Sequence, residues 1–123
     1  MKREELMIND MVFDYTNSPV KVCAVGQDIV VKNSFRIGSL EPNELSPIPL
    51  TEEILVKNGW DFRDRQYAIE CEEDVQGIVE LSRDKDGYYW SINWDEYQII
   101  RIHYVHELQH ILRLCGIDKE ISI

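Results

Sequence analysis

A chain of 123 residues, 44% of them hydrophobic and including three Trp, six Tyr and three Phe, suits one domain or two very small modules that fold without crosslinks. The three cysteines, Cys23, Cys71 and Cys115, lie far apart with no C-x-x-C pair, which argues against a disulfide framework and a cysteine-based zinc site. The net charge of −10 disfavours direct binding to nucleic acid, and no stretch reaches the roughly 20 apolar residues of a membrane helix.

The N-terminus, Met1 to Leu6, is charged and leads into no apolar run, so it does not read as a signal peptide, and a soluble cytoplasmic protein is expected. Residues 11–41 read as short strands. Met11–Tyr15 is a β-prone run and Thr16–Pro19 a turn cluster. Val20–Val25 alternates valines, and Gly26–Asp28 turns into Ile29–Lys32. Runs at this spacing predict a small, strongly bent sheet of the SH3-like barrel kind. That scaffold alone assigns no ligand.

Residues 41–50 hold three of the four prolines, which lack the donor a central strand needs, and mark the junction between halves. The expected division is a β-rich module over 1–46 and an α+β module over 47–123, either separate or packed as one unit. Thr51 is the N-cap of a helix of about two turns, with acids in its first turn, Ile54 and Leu55 facing inward and Asn58-Gly59 ending it. Four antiparallel strands follow at Gln66–Cys71, Gly77–Arg83, Tyr88–Trp94 and Tyr97–Ile102. Asp84–Gly87 makes the clearest hairpin turn. Tyr88, Trp90, Ile92 and Trp94 share one strand face; with Tyr97 they read as core rather than as a stacking platform. A last helix runs from about His103 to Cys115, with Gly116 as its cap. The expected fold is therefore α+β, with a small β-rich module followed by helix-β-β-β-β-helix.

His106-Glu107-Leu108-Gln109-His110 spells H-E-x-x-H, the pattern in which two histidines one turn apart grip zinc and the glutamate activates its water. A wheel of roughly 100° per residue tests it. With Val105 at zero, Tyr104, Leu108, Ile111, Leu112 and Cys115 fall between roughly 240° and 360°. His106, His110 and His103 fall at roughly 100°, 140° and 160°, beside Arg113 and Gln109. The histidines are thus expected on the solvent face, while Val105, Leu108, Leu112 and Cys115 lie on the sheet beside Trp90 and Trp94. The extended zincin pattern needs glycine at 113 and histidine at 116, where this chain has Arg113 and Gly116. His103 is the one further donor on that face, and three ligands from one helix strain a tetrahedral site. The motif is read as a coincidence: no cofactor and no catalytic residue is expected. The alternative is a minimal zinc hydrolase with Glu107 as base and His106 and His110 as ligands, His103 being the candidate third.

The acids cluster, with eleven against four bases over residues 61–96 and three against three over 97–123. Solubility accounts for this. A second alternative is mimicry of nucleic acid, offered to a basic partner. Glu72-Glu73-Asp74 lacks the spacing of a calcium loop, and Asp84 and Asp86 are explained by their turn.

Two segments carry a resemblance. Ile48–Trp60 resembles an "IPLTxEILxKNGF" segment, and Tyr104–Gln109 a "YVHxLQ" segment. The pair is similar to a group of small uncharacterised proteins of gut bacteria and their phages and mobile elements; it covers residues 48–60 and 104–116 well and the N-terminal half loosely. In that pattern Gln and Asn are acceptable at the positions of Glu107 and His110, so the resemblance implies no catalytic residues. The reading that follows is a non-enzymatic interaction or accessory protein, phage- or mobile-element-borne, acting on another protein.

Overall fold

The computed structural model describes residues 1–63, 66–69, 79–83, 89–92, 99–114 and 120–123. The fold is α+β, and the chain divides into two compact units, 1–49 with 104–106 and 50–103 with 107–123.

The first unit is an antiparallel sheet of five strands: β1 (Met11–Phe13), β2 (Pro19–Val25), β3 (Ile29–Lys32), β4 (Ile37–Leu40) and β5 (Ser46–Pro47), in the order β4-β3-β2-β1-β5. Alternation decides its faces. Val20 and Val22 of β2 are buried, as are Ile29 and Val31 of β3, and with Leu6, Val12 and Leu45 they form the core. The register of β2 on β3 shifts between Val22 and Ala24, a bulge at Cys23 that bends the sheet. The sheet is nonetheless open, with β4 and β5 at its edges, where the sequence suggested a barrel. Proline explains the difference. β5 is two residues long and sits among Pro47 and Pro49, which have no N–H to extend the ladder towards β4. The proline-rich segment is therefore partly strand: Val12 pairs with Pro47 and Phe13 with Ser46. Tyr104 makes a single bridge with Pro49, and the Val105 N–H donates to the Ile48 carbonyl.

The second unit opens with α1 (Glu52–Lys57). Thr51 caps it as expected, its hydroxyl accepting from the Ile54 N–H at 3.3 Å, and Gly59 ends it at φ 85°. Leu55 is fully buried and Ile54 half-buried. The following antiparallel sheet has five strands, not four: β6 (Asp61–Arg63), β7 (Gln66–Ile69), β8 (Val79–Arg83), β9 (Tyr89–Ile92) and β10 (Ile99–Ile102), in sequential order. β6 leaves no signal in the sequence because Asp61-Phe62-Arg63 is too short to show alternation; it is placed by pairing Asp61 with Ala68. The last helix, α2, runs Val105–Leu114.

Asn58 does more than end α1. Its side-chain amide donates to Ser122 O (2.8 Å) and Ile54 O (2.7 Å), and its oxygen accepts from Ser122 N (2.7 Å). It thereby holds the segment that buries Ile121.

Candidate functional site

The histidines of the H-E-x-x-H segment are not arrayed on a solvent face. Along α2, Val105, His106, Leu108, Gln109, Ile111 and Leu112 are all buried, with His106 only 6% exposed. The buried arc runs from roughly 240° through zero to roughly 100° on the wheel, and so takes in Gln109 and His106. A wheel drawn from residue type marks only the apolar stripe. Here the first turn is also covered where Tyr104 bridges Pro49 and the Val105 N–H reaches Ile48, and the His106 ring stacks on Tyr104 with centroids 5.8 Å apart. His103 and His110 are half-buried, and the residue most exposed is Leu114.

Glu107, the would-be general base, is engaged structurally. Its Oε1 accepts from the His103 backbone N–H at 3.0 Å, satisfying a donor just ahead of the helix. Among the described residues, no group of three or more His, Cys, Asp or Glu side chains could hold a metal ion. Tyr88, Trp94, Tyr97, Cys71, Cys115, Glu72–Asp74, the Asp84–Gly87 turn and Gly116 lie outside the described residues, as does the side chain of Trp90, so the expected packing of α2 beside the tryptophans does too.

A different feature stands out in the first unit. A cleft of about 270 Å³ is lined by Asp14, Tyr15, Val20, Val31, Lys32, Asn33, Arg36, Ile37, Gly38 and Leu40. Its floor is formed by Val20, Val31 and Leu40, at the margin of the core. Gly38 pairs with buried Val31 and so shares its face, and a Cβ built on Gly38 meets nothing within 4 Å.

Two turns wall the cleft. In the first, the Asp14 carboxylate accepts from the Thr16 hydroxyl (2.6 Å), the Thr16 N–H (2.8 Å) and the Ser18 N–H (3.1 Å), and Asn17 takes φ 60°. The Thr16 hydroxyl is the largest influence on Asp14. Together with the two N–H groups and Arg36 it outweighs burial and lowers the carboxyl below its ordinary value. In the second turn, Asn33 Oδ1 accepts from the Phe35 and Arg36 N–H groups at 2.9 and 3.0 Å. That turn aims Phe35 and Ile37, 94% and 69% exposed, outward beside Lys32 and Arg36, while Tyr15 stands 64% exposed on the facing wall. Arg36 reaches across to Asp14 at 3.6 Å with its side chain mostly in solvent.

No sequence motif marks this cleft. The available signal was Lys32-Asn-Ser-Phe-Arg-Ile37, two cations and two large apolar residues in a turn of an acidic chain. No protein family, curated protein or solved structure matches this chain. Among the described residues, no helix is long and apolar enough to cross a membrane.

Proposed function

We propose that this chain is a non-enzymatic accessory protein of the cytoplasm that acts by binding another protein, and that its first unit is an SH3-like binding scaffold in an open form. The observation carrying this reading is a cleft in the sheet rimmed by exposed Tyr15 and Ile37, with exposed Phe35 on the turn that leads into Ile37. Large apolar side chains scattered singly need no explanation, whereas a cluster around a concave floor marks an interaction surface. At about 270 Å³ the cleft falls below the roughly 300–1,000 Å³ of sites that enclose a small-molecule ligand, and suits side chains of a protein partner. The return of β5 onto β1 supports the SH3-like reading. A phage or mobile-element setting rests on the resemblance of residues 48–60 and 104–116.

The test is affinity capture from an extract of the source cell, with the parent chain and a Phe35→Asp, Ile37→Asp variant side by side. Both residues are mostly exposed, so the variant folds. A partner retained by the parent and lost by the variant is the expected result. Equal retention by both, or none by either, would discard the reading.

A further inference from the structure

We propose that the cleft between the two turns of the first unit takes a large apolar side chain from an extended, acidic segment of a partner protein, with Arg36 and Lys32 meeting that segment's carboxylates. This rests on the interaction role proposed above and specifies its chemistry.

Shape supplies the first argument. The floor, Val20, Val31 and Leu40, is apolar, and the space over Gly38 is where a side chain of this chain would otherwise sit. Gly38 has no positive φ, so no backbone requirement explains a glycine there. The walls are fixed by hydrogen bonds of Asp14 and Asn33, so the cleft exists before any ligand arrives, which lowers the ordering cost of binding.

Charge supplies the second. The rim carries two cations, Lys32 and Arg36, and one anion, Asp14. The Asp14 carboxylate is 3% exposed and already accepts three hydrogen bonds from Thr16 and Ser18. Arg36, 62% exposed and loosely paired at 3.6 Å, keeps most of its five donors for a second carboxylate. A long polyanion such as nucleic acid meets the field of the whole chain at −10, which repels it. A peptide with a few carboxylates feels mainly the nearest charges at physiological salt, and among the residues lining the cleft Lys32 and Arg36 outnumber Asp14.

The edge supplies the third. β4 ends the sheet and reads Ile37-Gly38-Ser39-Leu40, without proline or charge, whereas the opposite edge carries Pro47. Edges are ordinarily blunted by proline or charge; among the described residues no strand pairs with the outer side of β4, which invites an added one. An extended segment lying along β4 would set alternate side chains over the cleft at Gly38.

The experiment is selection of short random peptides displayed on phage against the full chain, with enriched peptides then synthesised and titrated by fluorescence anisotropy. The expected peptides combine Asp or Glu with a large apolar residue, bind more weakly as salt rises, and lose about tenfold or more of their affinity for Gly38→Leu and for Arg36→Glu. Gly38→Leu fills the cleft and should melt like the parent; if it melts lower, Arg36→Glu decides alone. Enrichment of basic peptides, undiminished binding to the deciding variant, an oligo(dT) probe that competes for the same surface, or no enrichment at all would each overturn the proposal. A partner from the capture experiment that binds Gly38→Leu as well as the parent would keep the interaction role and reject this cleft as its seat.

Discussion

At the scale of single residues, the buried polar groups make the sharpest claims. Asp14 is 3% exposed, and its carboxyl is held below the ordinary value of about 3.9, first by the Thr16 hydroxyl. The unfolded chain therefore binds that proton more tightly than the folded one, so stability from Asp14 is complete above the ordinary value and drains as pH falls through the lower folded value. Asp14→Ala should cost roughly 1–3 kcal/mol at neutral pH and progressively less as pH falls below the ordinary value, read by denaturant unfolding across the range. An equal cost at both ends would show that the charge contributes nothing. Trp60 makes a second claim. It is 2% exposed, and its indole N–H has no hydrogen-bond partner among the described residues. An orphaned buried donor costs roughly 1–3 kcal/mol, which offsets the volume lost in Trp60→Phe. That variant should stay within about 1 kcal/mol of the parent, while Trp60→Ala loses roughly 3–5 kcal/mol to the cavity. Several kcal/mol lost by the Phe variant would mean that the N–H does have a partner.

At the scale of elements, local chemistry was legible and tertiary coverage was not. Thr51 as cap, Gly59 as terminator and the strands around Val12, Val22 and Val31 follow from side-chain geometry within a few residues. What Asn58 does for Ser122, 64 positions away, leaves no mark in the local pattern. Neither does the burial of His106 and Gln109, because residue type reports the preferred face of a helix and not everything that covers it. The cleft escaped for a related reason. Its walls come from two turns whose Asp14 and Asn33 read as ordinary turn formers, and only the fold sets them on one corner of the sheet. Glu107 tests the difference between motif and element. If its role is to accept the His103 N–H, Glu107→Gln keeps an acceptor and costs no more than about 1 kcal/mol, while Glu107→Ala costs more, roughly 1–2 kcal/mol. Thermal unfolding of the two variants gives the order. A Gln variant as stable as the parent that has lost a hydrolytic activity would restore the glutamate to catalysis.

At the scale of the whole molecule, the governing quantity is the excess of 23 acids over 13 bases. Two effects of salt oppose each other. Screening weakens attractive pairs such as Arg36 with Asp14, but that pair is long at 3.6 Å with its cation mostly in solvent, and exposed pairs contribute only about 0–1 kcal/mol each. Screening also relieves the mutual repulsion of a chain at −10, a cost spread over every approach of like charges in the compact state and relaxed on unfolding. The second effect is larger because ten of the 23 acids have no base to match them, and their repulsion acts across the whole chain. The melting temperature should therefore rise by a few degrees between about 0.02 M and about 0.3 M NaCl at pH 7, over which the screening length falls from roughly 20 Å to roughly 6 Å. Near the isoelectric point of about 4.6 the net charge vanishes, and with it the repulsion that salt relieves. The salt dependence there should flatten or reverse. Melts over this grid of salt and pH decide the matter: a melting temperature that falls with salt at pH 7 would show that specific ion pairs, not net repulsion, dominate the electrostatics of this fold.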